Sequence, residues 1–324
     1  MHSVFNKKPV SFSYNNTERC QSRCITCSGW KTPAEVKDKE LSLEEWKKIL
    51  YNMHNWMGNY EFIISGGEPF LREDIFEMAE YASKLGDTVN VITNGLILSD
   101  KTEKLLNSEF KNITFSLNAV KNPEIHNKSR GRDDAFQKTI NSIQNLNYMN
   151  KHTVGHKWKN IYISTVVMPF NLEELKPLAE FCKLEGIGVS YQLMDNGDAF
   201  STMTEDNVQI YGKDIKKNAL IAIDELIELK KRGFPICNGF NQLDAFKTLI
   251  SAPEEIQNIQ CLVGENNFAI DPYGNCRICF CMEPIGNLKE NLPESLWFSE
   301  KADEIRGKIS KCTKNCRLLN CNFK

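Results

Sequence analysis

The 324-residue sequence lacks several features that mark particular classes of protein. It has no apolar run long enough to cross a bilayer, and its polar start, residues 1–8, has no apolar core of the kind found in signal peptides. Its formal net charge is only −2, which gives no electrostatic argument for nucleic acid or an anionic membrane as a partner. We therefore expect a cytoplasmic protein that binds neither.

Cysteine, in contrast, is plentiful, with 12 residues in the chain. The cytosol keeps thiols reduced, so metal or cluster binding explains them better than disulfides do. Cys20, Cys24 and Cys27 lie on one short loop after an extended run at residues 10–14. Three such thiolates can ligate a four-iron cluster and leave one iron open for a ligand that is not protein. A zinc site or a trio of buried thiols is the alternative at this point.

A second motif follows an apolar run at residues 60–65. It consists of Gly66, Gly67, Glu68 and Pro69. Together, the CxxxCxxC and GGEP motifs resemble those of the radical S-adenosylmethionine (SAM) superfamily. The resemblance implies a [4Fe–4S] cluster with SAM at its open iron, reductive cleavage of SAM to a 5′-deoxyadenosyl radical, and removal of a hydrogen atom from a substrate.

Strand and helix patterns alternate along the first 195 residues. The predicted strands are 10–14, 60–65, 88–93, 113–117, 161–168 and 189–194, and the predicted helices are 42–57, 75–85, 100–109, 134–149 and 172–184. This alternation predicts an α/β fold with a parallel sheet, and both motifs follow strand ends, where such sheets carry their chemistry. The resemblance implies a partial (β/α)6 TIM-like barrel with a small, cysteine-rich C-terminal domain. We predict a barrel at 1–197, a helical bridge at 198–258 with a helix at 219–232, and a cluster domain at 259–324.

The resemblance also implies where SAM binds. Gly66 and Gly67 would let the backbone approach the amino group of SAM, and Glu68 would accept a hydrogen bond from its ammonium. The remaining expected SAM contacts are Pro69, Asn94, Ser116, Asn118, Arg130 and Thr165. Ser116 and Asn118 would face the ribose, although a plain strand-end turn also explains them. Arg130, in a predicted loop at 126–131 that resembles an HxxxRG motif, would pair with the carboxylate unless it is simply solvated.

One position departs from the family pattern. Thr26 stands just before the third cysteine, where the family often has an aromatic residue. We therefore expect Trp30, or a neighbour of it, to pack against the adenine.

Seven cysteines lie in the last quarter of the chain. They are Cys261, Cys276, Cys279, Cys281, Cys312, Cys316 and Cys321. The spacing of Cys261, Gly274 and Cys279 resembles the start of SPASM and twitch domains, which implies a second, auxiliary [4Fe–4S] cluster. The expected ligands are Cys261, Cys279, Cys312 and Cys316, with Cys321 as an alternate or further ligand. The sequence does not decide whether Cys276 or Cys281 is also a ligand, and zinc is the alternative metal for this segment.

The substrate is the least determined feature. Strand one begins close to Met1, which leaves no space for a leader-binding module and favours a small polar metabolite, such as a sugar or aminocyclitol, that is oxidised or epimerised. The alternative is maturation of a ribosomally made peptide by a thioether or C–C cross-link or by epimerisation. From a different class, a non-catalytic iron–sulfur or zinc protein would explain the cysteines alone. Cys237 is a candidate hydrogen donor, Cys182 is expected in the core, and a flavodoxin or ferredoxin would supply electrons.

Overall fold

The structure is a computed structural model that describes residues 5–31, 39–194, 213–318 and 322–323. Its strands are β1 Ser11–Thr17, β2 Glu61–Gly66, β3 Thr88–Thr93, β4 Phe110–Ser116, β5 Asn160–Val167, β6 Gly188–Leu193, β7 Asn267–Ile270, β8 Asn275–Arg277 and β9 Gly286–Asn287. Its helices are α1 Leu43–Met57, α2 Ile75–Leu85, α3 Thr102–Leu106, α4 Pro123–Arg130, α5 Ala135–His152, α6 Leu175–Glu185, α7 Lys213–Lys231, α8 Phe240–Ser251, α9 Val263–Asn266, α10 Pro293–Trp297 and α11 Glu300–Ser310. Short 3-10 turns complete the described secondary structure.

The first six strands form one parallel sheet in chain order. Each strand pairs in parallel with the next, from β1 to β6. Helices connect most of these strands, as parallel pairing requires a crossover. This architecture confirms the predicted α/β fold with a parallel sheet. It also brings the carboxyl ends of all six strands, and the segments that follow them, to one edge.

Local signals place the element ends close to their predicted positions. Ser42 caps α1 in a capping box with Glu45, as the sequence predicted. The predicted bounds of α2 and β3 agree with the structure. The predicted helix at 219–232 begins earlier, at Lys213. The polar bridge before that helix falls mostly on residues 198–212, outside the described residues.

The segment that resembles HxxxRG forms a helix rather than the predicted loop. In α4, Asn122 accepts a hydrogen bond from the backbone N–H of Glu124 at the amino end, and Pro123 occupies the first turn. Gly131 ends the helix in the left-handed conformation with φ of 64°. These eight residues are largely polar, so the sequence shows no apolar periodicity that would predict the helix. The helix places His126 and Arg130 one turn apart on the same face.

The C-terminal segment extends the barrel sheet. β7 pairs in parallel with the outer edge of β1, and β8 and β9 add antiparallel strands beyond it. The described strand order is therefore β6-β5-β4-β3-β2-β1-β7-β8-β9. Phe268 and Trp297 join the same hydrophobic core as Phe12 on β1. The predicted boundary at residue 259 remains a proposal, since packing is continuous across it.

Among the described residues, no helix combines the length and apolar character that a membrane span requires.

Candidate active site

The loop that carries the first three cysteines is held against the end of α4. The backbone N–H of Arg23 donates to the carbonyl of Arg130 at 3.0 Å, and that of Ile25 donates to Ser129 at 3.1 Å. The last carbonyls of a helix have no partner within the helix, so these bonds satisfy them and fix the loop. Within the loop, the N–H of Cys27 donates to the carbonyl of Cys24 at 3.3 Å, which closes a tight turn between two of the cysteines.

The three thiols share a partly buried environment. Burial raises the pKa of Cys20 to about 11, and the nearby thiols of Cys24 and Cys27 and the Glu68 carboxylate add to the shift. Burial also raises the pKa of Cys27 above its ordinary value. Thiolates are therefore disfavoured at this site without a cation, and a metal centre would supply the missing positive charge.

The GGEP segment packs directly on the start of the cysteine loop. The N–H of Gly67 donates to Thr17 and that of Glu68 donates to Arg19, each at 2.7 Å. A Cβ on Gly66 would lie 2.3 Å from the Thr17 carbonyl oxygen, and one on Gly67 would lie 2.2 Å from that of Arg19. The glycines are thus required for contact between two protein segments, besides lining the cavity described below.

Glu68 points into the protein. Its carboxylate is fully buried and accepts hydrogen bonds from the Phe70 N–H at 3.3 Å, the Thr93 hydroxyl at 2.8 Å and the Asn94 N–H at 2.8 Å. Burial raises the pKa of this carboxyl to about 7. The arrangement differs from the predicted contact with the SAM ammonium, because Glu68 instead ties the GGEP segment to the end of β3. Pro69 is also buried and starts a 3-10 turn.

We expect Glu68→Ala to lower the free energy of unfolding by about 3 kcal/mol or more, because it leaves three buried donors without an acceptor. The thermal unfolding midpoint of the variant measures this loss. Glu73→Ala, a change at an exposed position on the same segment, is the control and should unfold like the wild type. A Glu68→Ala variant of wild-type stability would contradict the structural role.

A cavity of about 380 Å³ opens beside the three cysteines. Its lining residues include Cys20, Cys24, Cys27, Trp30, Gly66, Gly67, Asn94, Ser116 and Arg130, together with Asn15, Ser22, Thr26 and Ser65. Five of the residues predicted to contact SAM, and the predicted adenine neighbour Trp30, thus meet at one site. The indole N–H of Trp30 donates to the Cys24 carbonyl at 3.2 Å, which fixes the ring over the loop.

Two of the predicted SAM contacts face the protein instead of the cavity. The Asn118 side chain donates to the Ser129 hydroxyl at 2.9 Å and accepts from the Val166 N–H at 3.1 Å. The Thr165 hydroxyl donates to the Leu117 carbonyl at 2.7 Å. Both side chains are buried. They therefore stabilise the ends of β4 and β5, and their predicted contacts with SAM are not supported by their orientation.

Asn15, Ser22 and Ser65 line the cavity but were not predicted. Asn15 and Ser65 share a hydrogen bond of 2.7 Å between neighbouring strands. The only available signal was their position near strand ends, which many polar residues share. The Ser22 hydroxyl and the Arg130 Nε are buried and have no hydrogen-bond partner among the described residues. Such donors suit a ligand with sulfide, carboxylate or hydroxyl acceptors, as a four-iron cluster and SAM would provide.

Among the described residues, no three His, Cys, Asp or Glu side chains converge closely enough to share a single metal ion. The cysteines of a four-iron cluster each bind a separate iron, so cluster binding does not require three side chains to converge on one metal ion.

Cys237 lies at the wrong end of the barrel for a hydrogen donor. Its N–H donates to the Val189 carbonyl at 2.8 Å, and Val189 is the second residue of β6. The cavity lies at the carboxyl ends of the strands, whereas this contact is at the amino end. The structure therefore does not place the thiol near the expected radical. Cys182 is fully buried in α6, as predicted.

The C-terminal cysteines divide into a group and a core residue. Cys276, on β8, is fully buried in the hydrophobic core, which raises the pKa of its thiol well above the usual value. The Cys281 side chain shares hydrogen bonds with those of Cys279 and Cys316. Cys261 lies near Cys281 and Cys312. The grouped thiols are Cys261, Cys279, Cys281, Cys312 and Cys316, while Cys321 lies outside the described residues.

The sequence did not distinguish Cys276 from Cys281, and the structure places them in different surroundings. Cys281 joins the predicted ligands Cys261, Cys279, Cys312 and Cys316, and Cys276 does not. A turn explains the difference, because the N–H of Met282 donates to the Cys279 carbonyl at 3.2 Å and brings the segment between them back on itself. We propose that four of the five grouped thiols, Cys261 and Cys281 among them, ligate the auxiliary cluster.

A buried arginine anchors the last cysteines. Arg317 is 4% exposed, and its guanidinium donates to the carbonyls of Gln257, Ile259, Cys312 and Lys314. It also lowers the pKa of the Cys261 thiol, although burial outweighs this effect. Its positive charge beside the grouped thiols favours their ionised, metal-binding form.

Comparison with known proteins gives two family matches. Residues 14–182 match the model of the radical SAM superfamily, and residues 261–322 match that of an iron–sulfur cluster-binding (SPASM) domain. Among similar proteins, the AdoMet-dependent heme synthase of Methanosarcina barkeri is 25% identical, with 94% of this chain and 88% of that protein aligned. The subtilosin biosynthesis protein AlbA of Bacillus subtilis is 23% identical, with 97% and 65% aligned.

The fold also resembles solved structures of Streptococcus suis SuiB, bound to S-adenosylmethionine or to the precursor peptide SuiA. Each has a TM-score of 0.68 at 17% identity and covers 93% of this chain, and the match spans 68% and 67% of SuiB, respectively. This likeness confirms the partial-barrel fold, and the family match at residues 261–322 confirms the C-terminal auxiliary-cluster domain. The family matches indicate a SAM-binding [4Fe–4S] cluster and an auxiliary cluster. The chain belongs to the radical SAM superfamily, as a member with a SPASM auxiliary-cluster domain.

Proposed function

We propose that this radical SAM enzyme modifies a peptide substrate. The observation that carries the proposal is the similarity to AlbA, a bacteriocin biosynthesis protein, over 97% of this chain. The SuiB complex with a precursor peptide shows that the same fold accommodates such a substrate in that protein. The predicted sugar or aminocyclitol substrate has no support from these relatives, so the alternative prediction fits them better.

A second cavity supports an extended substrate. It measures about 790 Å³ and lies beside the segments that follow β4 and β5. Its lining includes Lys121, Phe170, Glu173, Ile221 and Glu225. This second cavity therefore has both apolar and charged lining residues, and it lies at the same edge of the sheet as the cavity beside the cysteines. A peptide side chain bound there would contact both kinds of residue.

Each part of the site would have a distinct task. Cys20, Cys24 and Cys27 would hold the first cluster, and Gly66, Gly67, Asn94 and Ser116 would surround SAM. When bound, the cluster and SAM supply the radical that removes a hydrogen atom from the substrate. Trp30 and the partly buried cysteine loop would limit the access of water to the reacting atoms. The grouped C-terminal thiols would hold the auxiliary cluster, and a flavodoxin or ferredoxin remains the proposed electron donor.

Chemistry on a porphyrin is the second candidate function. The match to the heme synthase covers most of both chains, which favours this candidate specifically. Both candidates require the same SAM site, so only the substrate distinguishes them.

We expect reduced enzyme with SAM to convert a synthetic peptide from a short reading frame that neighbours its gene. Mass spectrometry should show a loss of two hydrogen atoms for a cross-link or oxidation. In heavy water, gain of one deuterium without other change would indicate epimerisation. An iron porphyrin and a scrambled peptide are the controls. Turnover of the porphyrin with all neighbouring peptides unchanged would contradict the peptide proposal and favour the second candidate.

A further inference from the structure

The end of α4 and the cysteine loop form one rigid contact. The loop N–H groups of Arg23 and Ile25 bond the last carbonyls of α4. A Cβ on Gly131 would lie 2.5 Å from the Arg23 carbonyl oxygen, so the glycine is required both by this approach and by its positive φ. The side chain that precedes it, Arg130, is consequently held at a defined position against the cysteines.

The charged guanidinium of Arg130 donates a hydrogen bond to a cysteine sulfur. Its side chain is 9% exposed, and Nη1 donates to the Sγ of Cys24 at 3.7 Å. Nε has no hydrogen-bond partner among the described residues, and no carboxylate there forms a salt bridge with this guanidinium. A buried cation without a counter-charge is costly, so the position favours an anionic partner at the cysteines. An iron–sulfur cluster ligated by thiolates is such a partner.

The other two sulfurs receive neutral donors. The Asn94 amide approaches the Sγ of Cys20 at 3.9 Å, and the Gly29 N–H donates to that of Cys27 at 3.4 Å. Among the described donors to the three sulfurs, only Arg130 brings a full positive charge. Hydrogen bonds and charge around the sulfurs are among the means by which a protein sets the potential of a cluster.

We propose that Arg130 is a positioning residue that stabilises the reduced state of the first cluster through the sulfur of Cys24, and so raises its reduction potential. Reduction adds one negative charge to the cluster, so a nearby cation stabilises the reduced cluster more than the oxidised cluster. The role is independent of the predicted pairing of Arg130 with the SAM carboxylate. It rests on the proposed ligand role of Cys24 and not on the identity of the substrate.

The test is a redox titration of the holoenzyme without SAM, monitored by electron paramagnetic resonance. The first cluster is identified as the spectral component that Cys24→Ala lacks. At the wild-type midpoint, we expect Arg130→Gln to lower the ratio of reduced to oxidised cluster at least tenfold, a shift of about 59 mV for one electron. Arg130→Lys, which keeps the charge but loses the planar fork, should shift less.

Arg132→Gln is the matched control. Arg132 contacts the same loop through the Gln21 carbonyl at 3.3 Å and pairs with Asp134, but forms no hydrogen bond to a sulfur of the described residues. It should retain a potential near that of the wild type. An unchanged potential in Arg130→Gln with weakened SAM binding would overturn the proposal, as would an equal shift in Arg132→Gln. If Arg130→Gln fails to hold the first cluster, Arg130→Met, which also removes the charge, decides, and a wild-type potential there overturns the proposal.

If Cys24→Ala instead retains the component, the proposed ligand assignment fails. That outcome is separate from a failure of the role of Arg130.

Discussion

Replacing Cys24 with alanine is expected to abolish formation of 5′-deoxyadenosine from SAM. Cys24 is the central thiol of the loop, and its carbonyl and sulfur also receive the bonds from Trp30 and Arg130. Loss of an outer partner of a metal site commonly costs about 10–100-fold in affinity or activity, so loss of a ligand should cost more than about 100-fold. Chromatography of a reaction with dithionite-reduced enzyme measures the product.

Cys237→Ala is the matched control for this loss. It makes the same chemical change at a thiol that lies beside the amino end of β6. Its rate of SAM cleavage should equal that of the wild type. Cleavage that survives in Cys24→Ala, or that is lost equally in both variants, would contradict the assignment of the first cluster.

The second large effect concerns the auxiliary cluster. Anaerobically reconstituted wild-type protein should hold about eight irons, and Cys261→Ala about four, because each four-iron cluster needs its full set of protein ligands. The Cys261 thiol is half-buried and lies near Cys281 and Cys312, within the group of thiols. We expect the same loss from Cys281→Ala, whose side chain lies between those of Cys279 and Cys316. Iron analysis together with optical absorption measures both.

Cys276→Ala separates ligand loss from damage to the fold. It removes a thiol from the same C-terminal segment, but from the hydrophobic core. The variant should keep about eight irons even if a core cavity lowers its stability. Four irons in Cys276→Ala with eight in Cys281→Ala would reverse the proposed assignment, and zinc in place of iron would make the segment a structural metal domain.

The two N-terminal motifs and the barrel could be predicted because their signals are local. The spacing of Cys20, Cys24 and Cys27 is itself the ligand pattern, and short β-branched runs followed by glycine or asparagine mark the strand ends. The parallel sheet then brings those ends together, so the placement of Asn94 and Ser116 at the cavity followed from topology.

Side-chain direction could not be predicted in the same way. Glu68, Asn118 and Thr165 all lie at or near strand ends, but each points toward protein donors or acceptors that belong to neighbouring strands or helices. Which of two faces a strand-end residue presents depends on the local bend of the chain, which sequence spacing does not encode.

Long-range position was the other missing information. Cys237 lies a few residues after α7, and the sequence does not show which strand it pairs with. In the structure it pairs with Val189, which places it at the amino end of β6. Cys276 and Cys281 lie five positions apart, and only the turn at Cys279 separates the core thiol from the grouped thiol. Both outcomes depend on pairings with distant segments that a single sequence leaves undetermined.

We propose that the first cluster keeps an iron open for SAM in the cavity beside Gly66 and Gly67. The most direct measurement is the electron paramagnetic resonance spectrum of the reduced first cluster before and after addition of SAM. We predict that SAM changes the spectrum, because it occupies the open iron. An identical spectrum at saturating SAM, with no 5′-deoxyadenosine formed, would contradict the account.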